Sequence, residues 1–283
     1  ILEYAFTRER ISEEQLEMSA HQNGGEEANE ISVSKQWKIC SKDKFWWIMI
    51  AFFFLYQLGG MLKNCAQLYY CNALWGNSGN IAQTVKDVNE LGGAKSGLLA
   101  IFGALPTVVG MLIVWPLSNK IGKGKLILIG GVLAVAGGIL GLFAGDNFIL
   151  AVIAFVIKAL GGSPAMYISL ALLADVSDHQ EAKYGFRSDG LSMALYGAIM
   201  VGMTGIANGI ISGVLAAVGY DATSVAGMTS ASVSTAMTWV FFGGETVCFA
   251  LIALMFIFMN VEKFSKIDRE ILESRKKEAT QVQ

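Results

Sequence analysis

The chain has 283 residues, 54% of them hydrophobic and 16% charged, with a mean hydropathy of +0.51. A soluble domain carries roughly 25% charged residues, so this composition belongs in a bilayer and argues against soluble catalysis. The net charge of −2, with cations gathered only beside apolar stretches, argues equally against a nucleic-acid partner.

Residues 7–44 are polar, with acidic pairs at Glu13–Glu14 and Glu26–Glu27, and read as a cytoplasmic linker. Near its end Trp37 and Ile39 begin a short interfacial helix, and the aromatics of Phe45, Trp46 and Trp47 are expected at the headgroups. Six windows then follow that are long and apolar enough to cross a hydrocarbon core of ~30 Å: 45–71, 98–117, 126–145, 148–173, 191–217 and 235–260. A membrane β-barrel would instead alternate in segments of about ten residues. The expected fold is therefore an all-α membrane protein, a six-transmembrane-helix bundle, because helices satisfy their backbone hydrogen bonds internally.

The windows divide the chain into a linker over 1–44, a bundle over 45–260 and a tail over 261–283, where Phe264, Ile267 and Ile271 recur at helical spacing as in an amphipathic surface helix. If the N-terminal segment lies inside, seventeen Lys and Arg fall on the cytoplasmic side and two, Lys86 and Lys95, on the other. That asymmetry obeys the positive-inside rule and puts both termini in the cytoplasm.

Charges inside a membrane mark function by default, because each is costly without a cavity or a partner. Three occur: Lys63 on the first span, Lys158 on the fourth and Glu245 on the sixth. Tyr56, Gly60, Lys63, Gln67 and Tyr70 share one helical face, a stripe suited to lining an aqueous pathway. Glu245 is placed to pair with either lysine. Gly197, Val201, Thr204, Asn208 and Ser212 give the fifth span a small, polar face that suits sugar hydroxyls or a neighbouring helix. Gly137, Gly141 and Gly145 on the third span and Gly205, Gly209 and Gly213 on the fifth form stripes of the kind that let helices approach closely.

Nothing points to an enzyme. The two histidines, His21 and His179, lie outside the spans, and no metal-ligand cluster, phosphate-binding glycine loop or nucleophile elbow is present. Cys40, Cys65, Cys71 and Cys248 lack metal-ligand spacing and read as free thiols packed as small apolar groups.

The most charged connector is "ADVSDHQEAKYGFRSDG", residues 174–190, with six charged residues in seventeen. Asp175 and Asp178 at the end of one helix and Arg187 before the next each oppose the local helix dipole. A carboxylate–guanidinium cluster relieves both, with Ser188 or Asp189 capping the following helix.

This stretch resembles the signature loop of the glycoside–pentoside–hexuronide:cation symporters, the melibiose-permease-like branch of the major facilitator superfamily. Its pattern, A-D-x-x-D-Y-x-E-x-K-x-G-x-R-x-[DE]-G, is met by Asp175, Asp178, Glu181, Lys183, Gly185, Arg187, Asp189 and Gly190. "FTRER" at 6–10, "LYYCNALWG" at 68–76 and "PLSNKIGKGK" at 116–125 resemble that family's central loop, seventh-helix end and loop between helices eight and nine.

The resemblance implies that the six spans are helices seven to twelve, the C-terminal half of a major facilitator fold. The remaining six-helix bundle would come from the same gene or a second chain. It also implies cation-coupled symport of a sugar, glycoside, pentoside or hexuronide across the plasma membrane by alternating access. No resident cofactor is implied; Na+ or H+ would be the coupling ion, bound mainly by the other half. Asp175, Asp178, Arg187 and Asp189 would form a cytoplasmic gate, and Lys63, Gln67, Tyr70, Lys158, Tyr167, Thr204, Asn208 and Glu245 are the candidate pathway residues. The sequence departs from the pattern at His179, where the family has Tyr and where a surface role is expected here, and at Val201 and Met166, where melibiose-type members carry Lys and Trp. Two other readings stay open: a non-transporting subunit that docks a partner bundle in the lipid, and a carrier of an organic anion or lipid.

Overall fold

A computed structural model describes residues 33–185, 187–259 and 261–281. The acidic linker, "FTRER" and His21 lie outside the described residues. The chain divides into two compact units, one ending at Lys38 and one running from Ile39 to Gln283.

A short helix, α1 (Val33–Cys40), precedes five long ones: α2 (Lys44–Trp75), α3 (Val85–Ile121), α4 (Lys123–Leu142), α5 (Phe148–Tyr184) and α6 (Asp189–Ala217). The sixth span is composite. It comprises α7 (Val225–Met228), α8 (Ala231–Thr238), a π-helical turn (Trp239–Gly244) and α9 (Glu245–Phe256), and after a 3-10 turn at Val261–Lys263 the chain ends in α10 (Ser265–Gln281). Six segments among the described residues are long and apolar enough to span a membrane.

Several boundaries differ from those expected, and local chemistry explains each. Helix α3 begins at Val85, not near 98, because Thr84 and Asp87 form a reciprocal capping box that starts it within a polar stretch. Helix α5 runs through the charged connector to Tyr184 and stops where Gly185 takes φ 69° and donates its N–H to the Glu181 carbonyl. Helices α3 and α4 are separated by a single residue, Gly122 at φ 98°, a conformation that disfavours any side chain. Asp43 accepts from the Phe45 N–H and starts α2. Trp46 is 1% exposed and donates its indole N–H to Ser192 on α6, so its ring packs inside the bundle.

Helix α5 lies between α3 and α4; α4 packs on α9, α9 on α2, and α2 on α3 and α6. Two apolar clusters form the core. One holds Phe45, Trp46, Phe52, Leu172, Ile252 and Phe256; the other holds Tyr70, Trp75, Phe155, Phe241 and Phe242. In α3 and α6 only 22% of an apolar 18-residue stretch is buried in the chain, against 44% or 50% for the other spans.

The glycine stripes part company accordingly. On α4 Gly137 and Gly141 are contacts, with a Cβ 2.6 Å from the Lys158 backbone nitrogen and 2.2 Å from the Phe242 ring, as is Gly138, where a Cβ would stand 1.7 Å from Thr246 Oγ1; Gly145 lies beyond the end of α4 and meets nothing within 4 Å. Gly205, Gly209 and Gly213 on α6 meet nothing within 4 Å, so the expected close helix approach is absent there within this chain.

Gly161→Ala on α5 would place a methyl 2.4 Å from the Ala134 backbone nitrogen, whereas Gly209→Ala meets open space. The first substitution is expected to cost about 1–3 kcal/mol by forcing two backbones apart. The second should leave stability unchanged or slightly raised, since Ala favours helix over Gly. Thermal unfolding of the purified chain in detergent checks this, and equal losses in both variants would refute the packing.

Candidate functional site

Where the two apolar clusters meet, a cavity of about 440 Å³ opens among α2, α3, α5 and α9. Its walls include Tyr56, Lys63 and Gln67 from α2, Thr107 from α3, Lys158 from α5 and Glu245 from α9. The three intramembrane charges converge on it. Lys158 Nζ lies 2.7 Å from Glu245 Oε2, and Lys63 Nζ lies 3.5 Å from Glu245 Oε1. One carboxylate therefore serves two ammonium groups.

The two lysines differ in surroundings. The Lys158 side chain is 2% exposed, and besides Glu245 it donates to the Phe241 and Phe242 carbonyls at 3.3 Å each. Those carbonyls belong to the π-helical turn, whose wider winding makes backbone oxygens accessible to a side chain. One ion pair and two backbone hydrogen bonds thus hold the ammonium. The Lys63 side chain is 24% exposed towards the cavity and passes 5.7 Å from the Phe155 ring.

Close packing sets this arrangement. Gly137 and Gly138 bring α5 and α9 onto α4 beside Lys158 and Thr246, and on α2 a Cβ at Gly59 would stand 3.3 Å from the Glu245 Cα. With no side chains in the way, three helices bring their charges within ion-pair distance.

The remaining candidate pathway residues divide. Gln67 lines the cavity and donates to the Ser96 carbonyl at 2.8 Å. Tyr167 is not among the lining residues but donates to the carbonyl of Thr107, which is, at 3.3 Å. Tyr70 turns away, stacked on Phe241 in the apolar cluster and 0% exposed. Thr204 and Asn208 lie on the exposed side of α6 outside the cavity; Thr204 Oγ1 sits 3.6 Å from Met61 Sδ. Sequence spacing missed Ser163 and Asn64, which also line the cavity. Both are uncharged residues whose facing depends on how the helices pack.

A second charged cluster gathers where α5 ends and α6 begins. Arg187 contacts Asp178 and Asp189 closely and Glu181 at 3.6 Å. Its hydrogen bond with Asp189 raises the guanidinium pKa further above its ordinary value, so this cation keeps its charge at every working pH. Asp175 is not part of that group: it pairs with Lys123 of α4 at 2.6 Å. Neither Ser188 nor Asp189 caps α6 as expected. Ser188 instead donates to Gln180 at 2.6 Å and receives the Cys40 thiol at 3.0 Å. Burial pushes that thiol's pKa up, which keeps it protonated.

His179 is not a surface residue either. It is 8% exposed, lies between Phe45 and Phe264, and meets Asp268 of α10 at 2.9 Å. Arg275 of α10 donates to the Glu181 and Ala182 carbonyls at the end of α5, each at 2.9 Å. Glu262 accepts the backbone N–H groups of Lys123 and Gly124 at the start of α4. The C-terminal helix is thereby fastened to α5, and the 3-10 turn before it to the start of α4.

Among the described residues no group of His, Cys, Asp and Glu is arranged to hold a metal ion. Cys40, Cys71 and Cys248 are buried and Cys65 is half-buried, and none is bridged. The family described as MFS/sugar transport protein matches residues 1–263. No curated protein matches the chain.

Removing one partner of a buried pair leaves the other charge uncompensated, at a cost of about 3–5 kcal/mol. Glu245→Ala, which strands Lys158, is expected to lower chain stability by that order. A Lys158→Met/Glu245→Gln double variant should recover most of the loss in thermal denaturation. Additive losses in the double variant would mean that the two residues are energetically independent.

Proposed function

The chain belongs to the MFS/sugar transport protein family, and from that premise we propose that it forms the solute-binding wall of a cation-coupled sugar carrier. It is a multi-pass membrane protein with six spanning segments among its described residues. The observation that carries the proposal is the cavity: a chamber into which three charged side chains project from three helices, beside two apolar clusters.

Symport by alternating access needs a second bundle against which this one rocks. The sparsely buried α3 and α6 support such a partner. Apolar side chains on α3, among them Leu105, Val108, Leu112 and Trp115, are 58–72% exposed, and the glycine row on α6 leaves open space for a close neighbour. The solute is a sugar, glycoside, pentoside or hexuronide, and the driving ion is Na+ or H+. The distribution of Lys and Arg supports cytoplasmic termini and a cytoplasmic position for the Arg187 cluster, and the carrier resides in the plasma membrane.

In that position Arg187, Asp178 and Asp189 act as a gate between α5 and α6, with Asp175 contributing through Lys123. The side chains of Arg187 and Asp178 are 42% and 31% exposed, so solvent screening keeps their pairing weak, of order 0–1 kcal/mol. A weakly held pair is suited to breaking and reforming in each cycle.

The test is uptake of radiolabelled saccharides by proteoliposomes holding the complete product of the gene that encodes this chain, under imposed Na+ or H+ gradients. Gradient-dependent accumulation is expected. Arg187→Ala should cut uptake about tenfold or more while leaving stability within about 1 kcal/mol. Unchanged uptake in that variant would remove the gate, and absence of any saccharide flux would remove the carrier reading.

A further inference from the structure

The charges facing the cavity do not cancel. Lys63 and Lys158 bring two ammonium groups, and among the described residues Glu245 is the one carboxylate lining it. The unmatched charge can be located. Lys158 is held by its ion pair with Glu245 Oε2 and by hydrogen bonds to the two π-turn carbonyls, and its side chain is only 2% exposed. It neutralises Glu245 at 2.7 Å, whereas Lys63 stands off at 3.5 Å.

Lys63 is also the more accessible partner. Among the described residues, no acceptor other than Glu245 Oε1 lies within hydrogen-bonding reach of its Nζ, which leaves donors free to face the chamber. A partly desolvated ammonium with unused donors binds an oxyanion far better than a hydroxyl, since both charge and hydrogen bonding favour it.

We propose that Lys63 is an anion-recognising residue and that the solute carries a carboxylate or phosphate group, bound at Lys63 beside Glu245. This rests on the carrier reading and deepens it: the saccharide is acidic. Lys158 is a positioning residue that fixes the Glu245 carboxylate and so leaves the charge of Lys63 for the solute. Gln67, one helical turn beyond Lys63 and also lining the cavity, donates its amide N–H groups to Ser96 and offers its amide oxygen to sugar hydroxyls. Binding an anion would make the chamber electrically neutral, which lowers the cost of closing it against water.

The experiment measures binding of three probes, D-glucuronate, D-glucose and inorganic phosphate, to the purified chain in lipid nanodiscs, wild type beside Lys63→Gln and Lys63→Arg. Glucuronate is expected to bind about tenfold or more tighter than glucose. Lys63→Gln should erase that preference, and Lys63→Arg should keep most of it, which separates a charge effect from misfolding. If glucose binds as tightly as glucuronate, or if Lys63→Gln preserves the preference, the anion proposal is overturned while the sugar-carrier reading stands. Phosphate binding that depends on Lys63, with neither saccharide bound, would support the anion site and overturn the sugar reading. No binding of any probe would overturn both.

Discussion

An ammonium and a carboxylate buried together in an apolar bundle are the constraint on which the structure depends. Lys158 cannot stay charged beside Phe241 and Phe242 without compensation, and the chain supplies it with the Glu245 carboxylate and two backbone carbonyls. The π-helical turn at Trp239–Gly244 presents those carbonyls. The glycines of α4 allow α5 and α9 to approach closely enough for the pair to form. A cavity follows from the same arrangement, because Lys63 shares the carboxylate from a third helix and holds the wall of α2 against it.

The two charged regions are joined by continuous helix. Lys158 and Asp178 both belong to α5, twenty residues and so ~30 Å apart along one helix. Helix α9 carries Glu245, and beyond it Glu262 holds the start of α4 while Asp268 and Arg275 hold the end of α5. Within the carrier proposal, a change at the solute site has rigid elements along which to reach the opposite end. The 3-10 turn, fastened to α4, and α10, fastened to α5, keep those two helices together as they move.

Much of this was legible in the sequence, for physical reasons that differ by element. Six apolar runs announce six spans because a bilayer admits few alternatives. Lys63, Lys158 and Glu245 stood out because an intramembrane charge is too costly to be incidental. That Glu245 serves both lysines, and that Lys158 is sealed while Lys63 is open, depends on three-body packing that no single helix encodes. Tyr70 and Lys63 share a helical face by spacing, yet one stacks in the core and the other faces the cavity, because α2 has different neighbours along its length. Charge alone misjudged 174–184 as a loop, since Gly185 rather than polarity ends α5. His179 gave no sign of its partner, which lies 89 residues away on α10.

The central claim is that Glu245 is an ionised carboxylate shared by two lysines. Infrared difference spectroscopy of the chain in nanodiscs, comparing wild type with Glu245→Gln and using carbon-13 glutamate labelling for assignment, reads its state directly. The substitution is expected to remove a carboxylate stretching band, with that band shifting when Lys63 is changed to Gln and again when Lys158 is changed to Met. Loss of a protonated carboxyl band instead, or a carboxylate band indifferent to either lysine, would contradict the shared ion pair and with it the positive charge assigned to the cavity.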